Sequence, residues 1–106
     1  MIPSRWDANQ SKVVTDLRQN TTNFDCAGDV QSQLKTIYDE VQWFELYSES
    51  KNTKDVLTLS QTLKNTTTEF INRLKQGPVS PLYCDLKKKI LVQEADTIAH
   101  TVQRRW

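Results

Sequence analysis

Glycine and proline are scarce, with two and three residues in a chain of 106. A β sandwich or barrel needs turn punctuation roughly every 8–12 residues, so this scarcity disfavours an all-β fold. Long apolar runs are missing as well, and nothing in the sequence is long and apolar enough to span a bilayer. The opening residues carry no basic stretch followed by an apolar one, so no secretory signal is legible there. No one sign of charge dominates. Lys and Arg number 14 against 13 Asp and Glu, a net charge of +1 that gives no long-range field toward nucleic acid or an anionic membrane.

Histidine occurs once, as His100, with Thr97 three residues before it, so the Glu-x-x-His pattern of di-iron bundles is absent. A G-x-S-x-G nucleophile elbow is absent too. Asp39 with Glu40, and Glu94 with Asp96, stand at spacings that diverge around a helix. No catalytic, cofactor-binding or metal-binding residue is nominated, no cofactor is expected, and an enzyme is not the favoured reading.

What remains is a helical chain with a lean core. Leu, Ile, Val and Phe supply 26 of the 106 residues, above the roughly 20% below which chains tend to stay disordered. Four amphipathic stretches follow one another. The first, over about 4–22, opens at Ser4-Arg5-Trp6-Asp7, which reads as a capping box, and carries Trp6, Gln10, Val13, Val14, Leu17, Thr21 and Phe24 on its apolar beat. Asp25-Cys26-Ala27-Gly28-Asp29 breaks it, with Gly28 suited to left-handed backbone and Asp25 or Asp29 to capping the next helix. The second, about 29–48, places Val30, Leu34, Ile37, Val41 and Phe44 in clean helical register.

Asn52 or Thr53 then caps a third helix, about 53–76, marked by Val56, Leu59, Leu63, Phe70, Ile71 and Leu74. Asn65-Thr66-Thr67-Thr68 interrupts its middle, but β-branched Thr costs only tenths of a kcal/mol, so one continuous helix is expected. Gly77-Pro78 stops it, and Ser80-Pro81 starts the fourth, about 81–104, with Leu82, Leu86, Ile90, Leu91, Ala95, Ile98 and Val102 as its expected buried row. Arg104 and Arg105 suit the dipole of its last turn. Long helices joined by short connections predict an all-α fold, an antiparallel up-down-up-down four-helix bundle formed by residues 1–106 as one domain. Three long helices with a looser N-terminal one is the fallback.

The bundle topology makes a prediction about the two cysteines. Cys26 lies in the first connection and Cys84 just after the third, so both fall at the same end. A Cys26–Cys84 disulfide is therefore expected, and with it an oxidising home, periplasmic or secreted, any signal or anchor lying outside this stretch. The alternative is a cytoplasmic protein with two free thiols. Zinc would need two further ligands, and His100 falls toward the other end of its helix.

Trp43-Phe44-Glu45-Leu46-Tyr47 crowds four large apolar residues into five positions, and one helix face cannot take them all. If Phe44 follows Val41 into the core, Trp43, Leu46 and Tyr47 form a second face, the candidate interface. The competing reading buries Trp43 and Tyr47 over the bundle's end. Lys87-Lys88-Lys89 fans around its helix and reads as a solvated face. The sequons at Asn9, Asn20 and Asn65 are of the kind that arise by chance in a chain rich in Asn and Thr. The function expected is binding of another protein outside the cytoplasm, as an inhibitor, an immunity-type protein or an accessory subunit. Self-association as a dimer is also expected to be open to it; nucleic acid and membrane insertion are not. The alternative is an extracytoplasmic sensory or small-ligand-binding bundle of a membrane receptor, with Arg5, Arg18 and Arg73 supplying anion contacts.

Overall fold

The computed structural model describes residues 7–51 and 53–103. Four helices form an antiparallel up-down-up-down bundle: α1 (Ala8–Thr22), α2 (Val30–Ser50), α3 (Lys54–Lys75) and α4 (Pro81–Gln103). Each helix packs against its two chain-neighbours around the square, α1 closing the ring against α4, with α1–α3 and α2–α4 on the diagonals. The rod measures 48 × 20 × 17 Å.

Local chemistry sets the helix ends. The first helix begins later than the sequence suggests. Asp7 is not the third residue of a helix opened by Ser4; its own backbone is extended, and its carboxylate accepts from the Asn9 and Gln10 N–H groups as the N-cap. Ser4 itself lies outside the described residues. Asp29, the second of the two aspartates offered, caps α2 through the Ser32 N–H at 3.1 Å. Thr53 takes the N-cap position of α3, but its hydroxyl makes no capping bond and instead donates to the Ser48 carbonyl. Ser80 caps α4 by accepting from the Tyr83 N–H at 3.1 Å, with Pro81 as the first helical residue.

The two glycines behave differently. Gly77 has φ +139° and ends α3 where a side chain would strain the backbone. Gly28 is not left-handed. Its turn is closed by its own N–H on the Asp25 carbonyl at 3.1 Å, by the Ala27 N–H on the Asp25 carboxylate, and by the Gln33 side chain bridging Asp25 and Asp29. Those bonds hold an ordinary turn without positive φ.

The core follows the predicted registers on three helices: Val14 and Leu17 from α1, Leu34, Ile37, Val41 and Phe44 from α2, and Val56, Leu63 and Phe70 from α3, with Phe24 sealing one end. The threonine waist of α3 is unbroken helix. Thr66, Thr67 and Thr68 each turn a hydroxyl back onto the carbonyl four residues earlier, so buried Thr66 and Thr67 do not leave their own donors unmatched. Helix α4 departs from expectation. Its buried row is Cys84, Leu91, Ala95, Ile98, Ala99 and Val102, while Leu82, Leu86 and Ile90 face solvent on the opposite side. The helix carries two apolar rows, and the disulfide together with the small Ala95 and Ala99 decides which one packs inward.

Cys26 and Cys84 are joined, with Cα atoms 6.0 Å apart, across the end where α1 turns into α2 and α3 into α4. The other end is held by hydrogen bonds. The buried Gln10 amide of α1 donates to Ser48 Oγ of α2 at 3.2 Å and to Thr53 Oγ1, ahead of α3, at 3.1 Å.

Candidate functional site

Val41, Phe44 and Ser48 point α2 into the core, and that phase leaves Trp43 and Leu46 outside. Trp43 is 47% exposed and Leu46 60%. Tyr47, one turn after Trp43, stacks its ring on the indole, with centroids 4.9 Å apart and planes 9° from parallel. The tyrosine is half-buried because it reaches α1: its hydroxyl donates to the Asp7 carboxylate at 3.0 Å and accepts from the Asn9 amide at 3.2 Å. Lys51 sits over the same ring, 5.6 Å from its centroid. The expected burial of Trp43 over the bundle's end is thus not seen, while that of Tyr47 is seen in part. Tyr47 closes the α1–α2 seam, and Trp43 and Leu46 project from it.

The electrostatics of the seam centre on Asp7. Partial burial pushes its carboxyl up, but hydrogen bonds from the Gln10 N–H, the Tyr47 hydroxyl and the Asn9 N–H, with the Lys51 charge, outweigh that and hold it below the usual range. The residue that caps α1 is therefore also the acceptor that fixes Tyr47, and Tyr47 fixes the indole. Asp7 and Asn9 are the members of this site that sequence reasoning missed, since Asp7 and Tyr47 are 40 residues apart and neither forms a motif.

Elsewhere the ionisable groups are dispersed. Glu40 accepts from the Asn20 amide, and burial raises its carboxyl despite that bond. Glu94 accepts from Thr66 Oγ1 at 3.0 Å and is likewise raised, mainly by burial. Glu45 pairs with Lys64 at 3.4 Å on the α3 side, turned away from Trp43. Arg18 is engaged by Asp96 at 3.0 Å, and Arg73 lies over the Tyr83 ring at 5.8 Å; Arg5 lies outside the described residues. Lys87 bonds Glu69 at 3.1 Å and also covers Tyr83. All three sequon asparagines, Asn9, Asn20 and Asn65, lie within helices. Among the described residues no three His, Cys, Asp or Glu side chains gather as a metal-binding set.

Several hollows mark the surface of the described residues. One of 680 Å³ runs wide open along α4 past Lys88, Val92, Asp96 and His100. A 280 Å³ cleft between α2 and α3 is lined by Gln31, Lys35, Tyr38, Ile71 and Lys75. A third, 390 Å³, is walled by the disulfide, Val30, Leu74 and Val79. Thr97 and His100 share the wall of the first, where the Thr97 hydroxyl donates to the Gln93 carbonyl at 2.9 Å.

Family models, curated proteins and solved structures give no match to this chain. The reading of the site thus rests on its geometry. Trp43 and Leu46 are large apolar side chains left exposed on a helix, and the stack on Tyr47 holds the indole in one orientation. No helix among the described residues is long and apolar enough to cross a membrane.

Proposed function

We propose that this protein is a non-enzymatic binder of another protein, acting outside the cytoplasm as an inhibitor, immunity-type or accessory protein. The observation that carries the reading is the Trp43–Leu46 face, exposed yet braced through Tyr47 onto the Asp7 cap of α1. Interface hot spots are enriched in Trp and Tyr, and a preset aromatic is the form in which they bind well. The Cys26–Cys84 disulfide supports an oxidising compartment, where such bonds persist. The receptor-type alternative gains nothing from Arg18 and Arg73, which are already engaged within the chain.

The test is affinity capture from the protein's native compartment with wild type, Trp43→Ala and Leu46→Asp side by side. The reading expects a stoichiometric partner held by wild type and lost by both variants, whose circular dichroism stays unchanged. Recovery of the same proteins by all three baits, or of none by wild type, sinks it. Alkylation of freshly isolated protein under denaturing conditions tests the compartment: two labelled thiols remove the case for an extracytoplasmic home.

A further inference from the structure

The first half of α4 carries an apolar row that the bundle does not use. Leu82 is 69% exposed, Leu86 52% and Ile90 39%, spaced four residues apart, so they form one inclined ridge on the outer face. One flank of the ridge is already occupied, since Lys87 is held by Glu69 and lies over Tyr83. The other flank carries Asp85 and Lys89, both exposed and one turn apart. Among the described residues neither has an ion-pair partner within 4.0 Å.

We propose that this ridge is a self-association face, covered by the same ridge of a second copy running antiparallel across it. A two-fold axis through Leu86 sets Leu86 on its counterpart and Leu82 against Ile90 of the other copy. An antiparallel two-fold also brings like flanks together. Asp85 stands one residue before the axis and Lys89 three after it, so Asp85 of each copy meets Lys89 of the other within about 3 Å of axial rise. Two symmetric ion pairs then frame the apolar contact. A parallel pairing places Lys87, already engaged, opposite both Asp85 and Lys89, where attraction and repulsion cancel.

Charge complementarity is what selects a second copy as the occupant. The free flank holds one charge of each sign at a spacing that matches itself under rotation, which an isologous contact requires and an anionic bilayer does not. A bilayer would also meet the Asp85 carboxylate beside its apolar contact. Ridges of the i±4 type cross at about 50°, so the two rods touch over a short stretch. The exposed side chains offer on the order of 300 Å² of apolar surface per copy, short of the roughly 800 Å² of a stable interface, and the dimer is accordingly weak and concentration-dependent.

Sedimentation of the full chain from about 10 μM to about 1 mM tests this. Wild type is expected to rise from 12.3 kDa toward twice that mass. Leu86→Lys should stay monomeric with unchanged helicity and melting, because the site is exposed. Asp85→Lys should weaken association about tenfold, and adding Lys89→Asp should restore it. Trp43→Ala should dimerise as wild type does, which separates this face from the α2 face. A wild type monomeric across the whole range, a dimer indifferent to Leu86→Lys, or a double variant as weak as Asp85→Lys each overturns the proposal. So does a monomer that binds anionic vesicles through Leu86, which would assign the ridge to a membrane surface.

Discussion

Thr66 Oγ1 lies 3.0 Å from Glu94 Oε2 and 3.2 Å from the carbonyl of Thr62, so a single hydroxyl proton faces two acceptors whenever Glu94 is ionised. The other carboxylate oxygen, Oε1, is buried without a partner. A protonated Glu94 resolves the conflict by donating to Thr66, which then donates to Thr62.

Stability should therefore fall as pH rises through the titration of Glu94. Burial raises its carboxyl above the usual value, opposed by the Thr66 bond and Lys87 and assisted by Glu69, so the folded state binds the proton more tightly than the unfolded chain does. The stabilising contribution is complete below the unfolded pKa and is lost on passing the raised folded one. Glu94→Gln, a neutral donor of the same shape, is expected to gain a few tenths to about 1 kcal/mol at pH 7 and nothing in acid. Urea melts of both proteins from pH 3 to pH 8 decide it; parallel curves would show that the conflict carries no energy.

Asp7 should behave in the opposite sense. Its folded carboxyl is depressed, so its contribution is present above the unfolded pKa and disappears as pH falls through the folded one. Asp7→Ala is expected to cost about 1 kcal/mol as a lost cap, and also to loosen Tyr47 and the indole stacked on it. With Trp6 and Trp106 replaced by Phe in both proteins, Trp43 fluorescence should red-shift or lose anisotropy in this variant without any change at position 43. An unaltered spectrum would mean that the stack holds itself.

Reduction of the Cys26–Cys84 bridge, which spans 58 residues, should lower stability by up to about 4 kcal/mol in the chain-entropy model. Urea midpoints with and without a reducing agent measure it. With so lean an apolar core the reduced protein should sit near the threshold of folding at 37 °C, and an unchanged midpoint would assign the bridge no stabilising role.

Gly77→Ala should destabilise by more than about 1 kcal/mol although an added Cβ meets nothing within 4 Å, because the cost lies wholly in the φ of +139°. Gly28→Ala is the control. Its Cβ would meet Asp25 at 3.4 Å, an ordinary contact, and it needs no left-handed backbone, so the loss should be small. Thermal melts compare the two.

Most of the bundle is legible from spacing because three helices bury one clear row each. Val30, Leu34, Ile37, Val41 and Phe44 leave no other phase for α2, and Gly77-Pro78 with Ser80-Pro81 fixes the last break. Helix α4 is harder to read because hydrophobicity does not mark the buried side. Leu82, Leu86 and Ile90 are more apolar than Ala95 and Ala99, yet the alanines are inside, where small side chains let neighbouring helices approach. The exposure of Trp43 and Leu46 follows from the phase of Val41 and Phe44. The bracing of Tyr47 does not, since Asp7 reaches it only once α1 and α2 are packed. The Gln10–Ser48–Thr53 cluster is hidden for the same reason: in sequence these are three ordinary polar residues on three segments.

The position of the bridge also rewires the chain's distances. Arg18 and Asp96, which join α1 to α4, are 78 residues apart along the backbone. Measured through the cysteines, the path shrinks to about 20 residues, comparable to that across a helical hairpin. The oxidised chain is a lasso whose closed ring contains α2 and α3, and whose two tails, α1 and the body of α4, emerge side by side and pack on each other. The most distant pairing in the fold is thereby made nearly local. Oxidation before folding should speed the closure of that last helix pair, whereas a reduced chain must search for it across almost its full length.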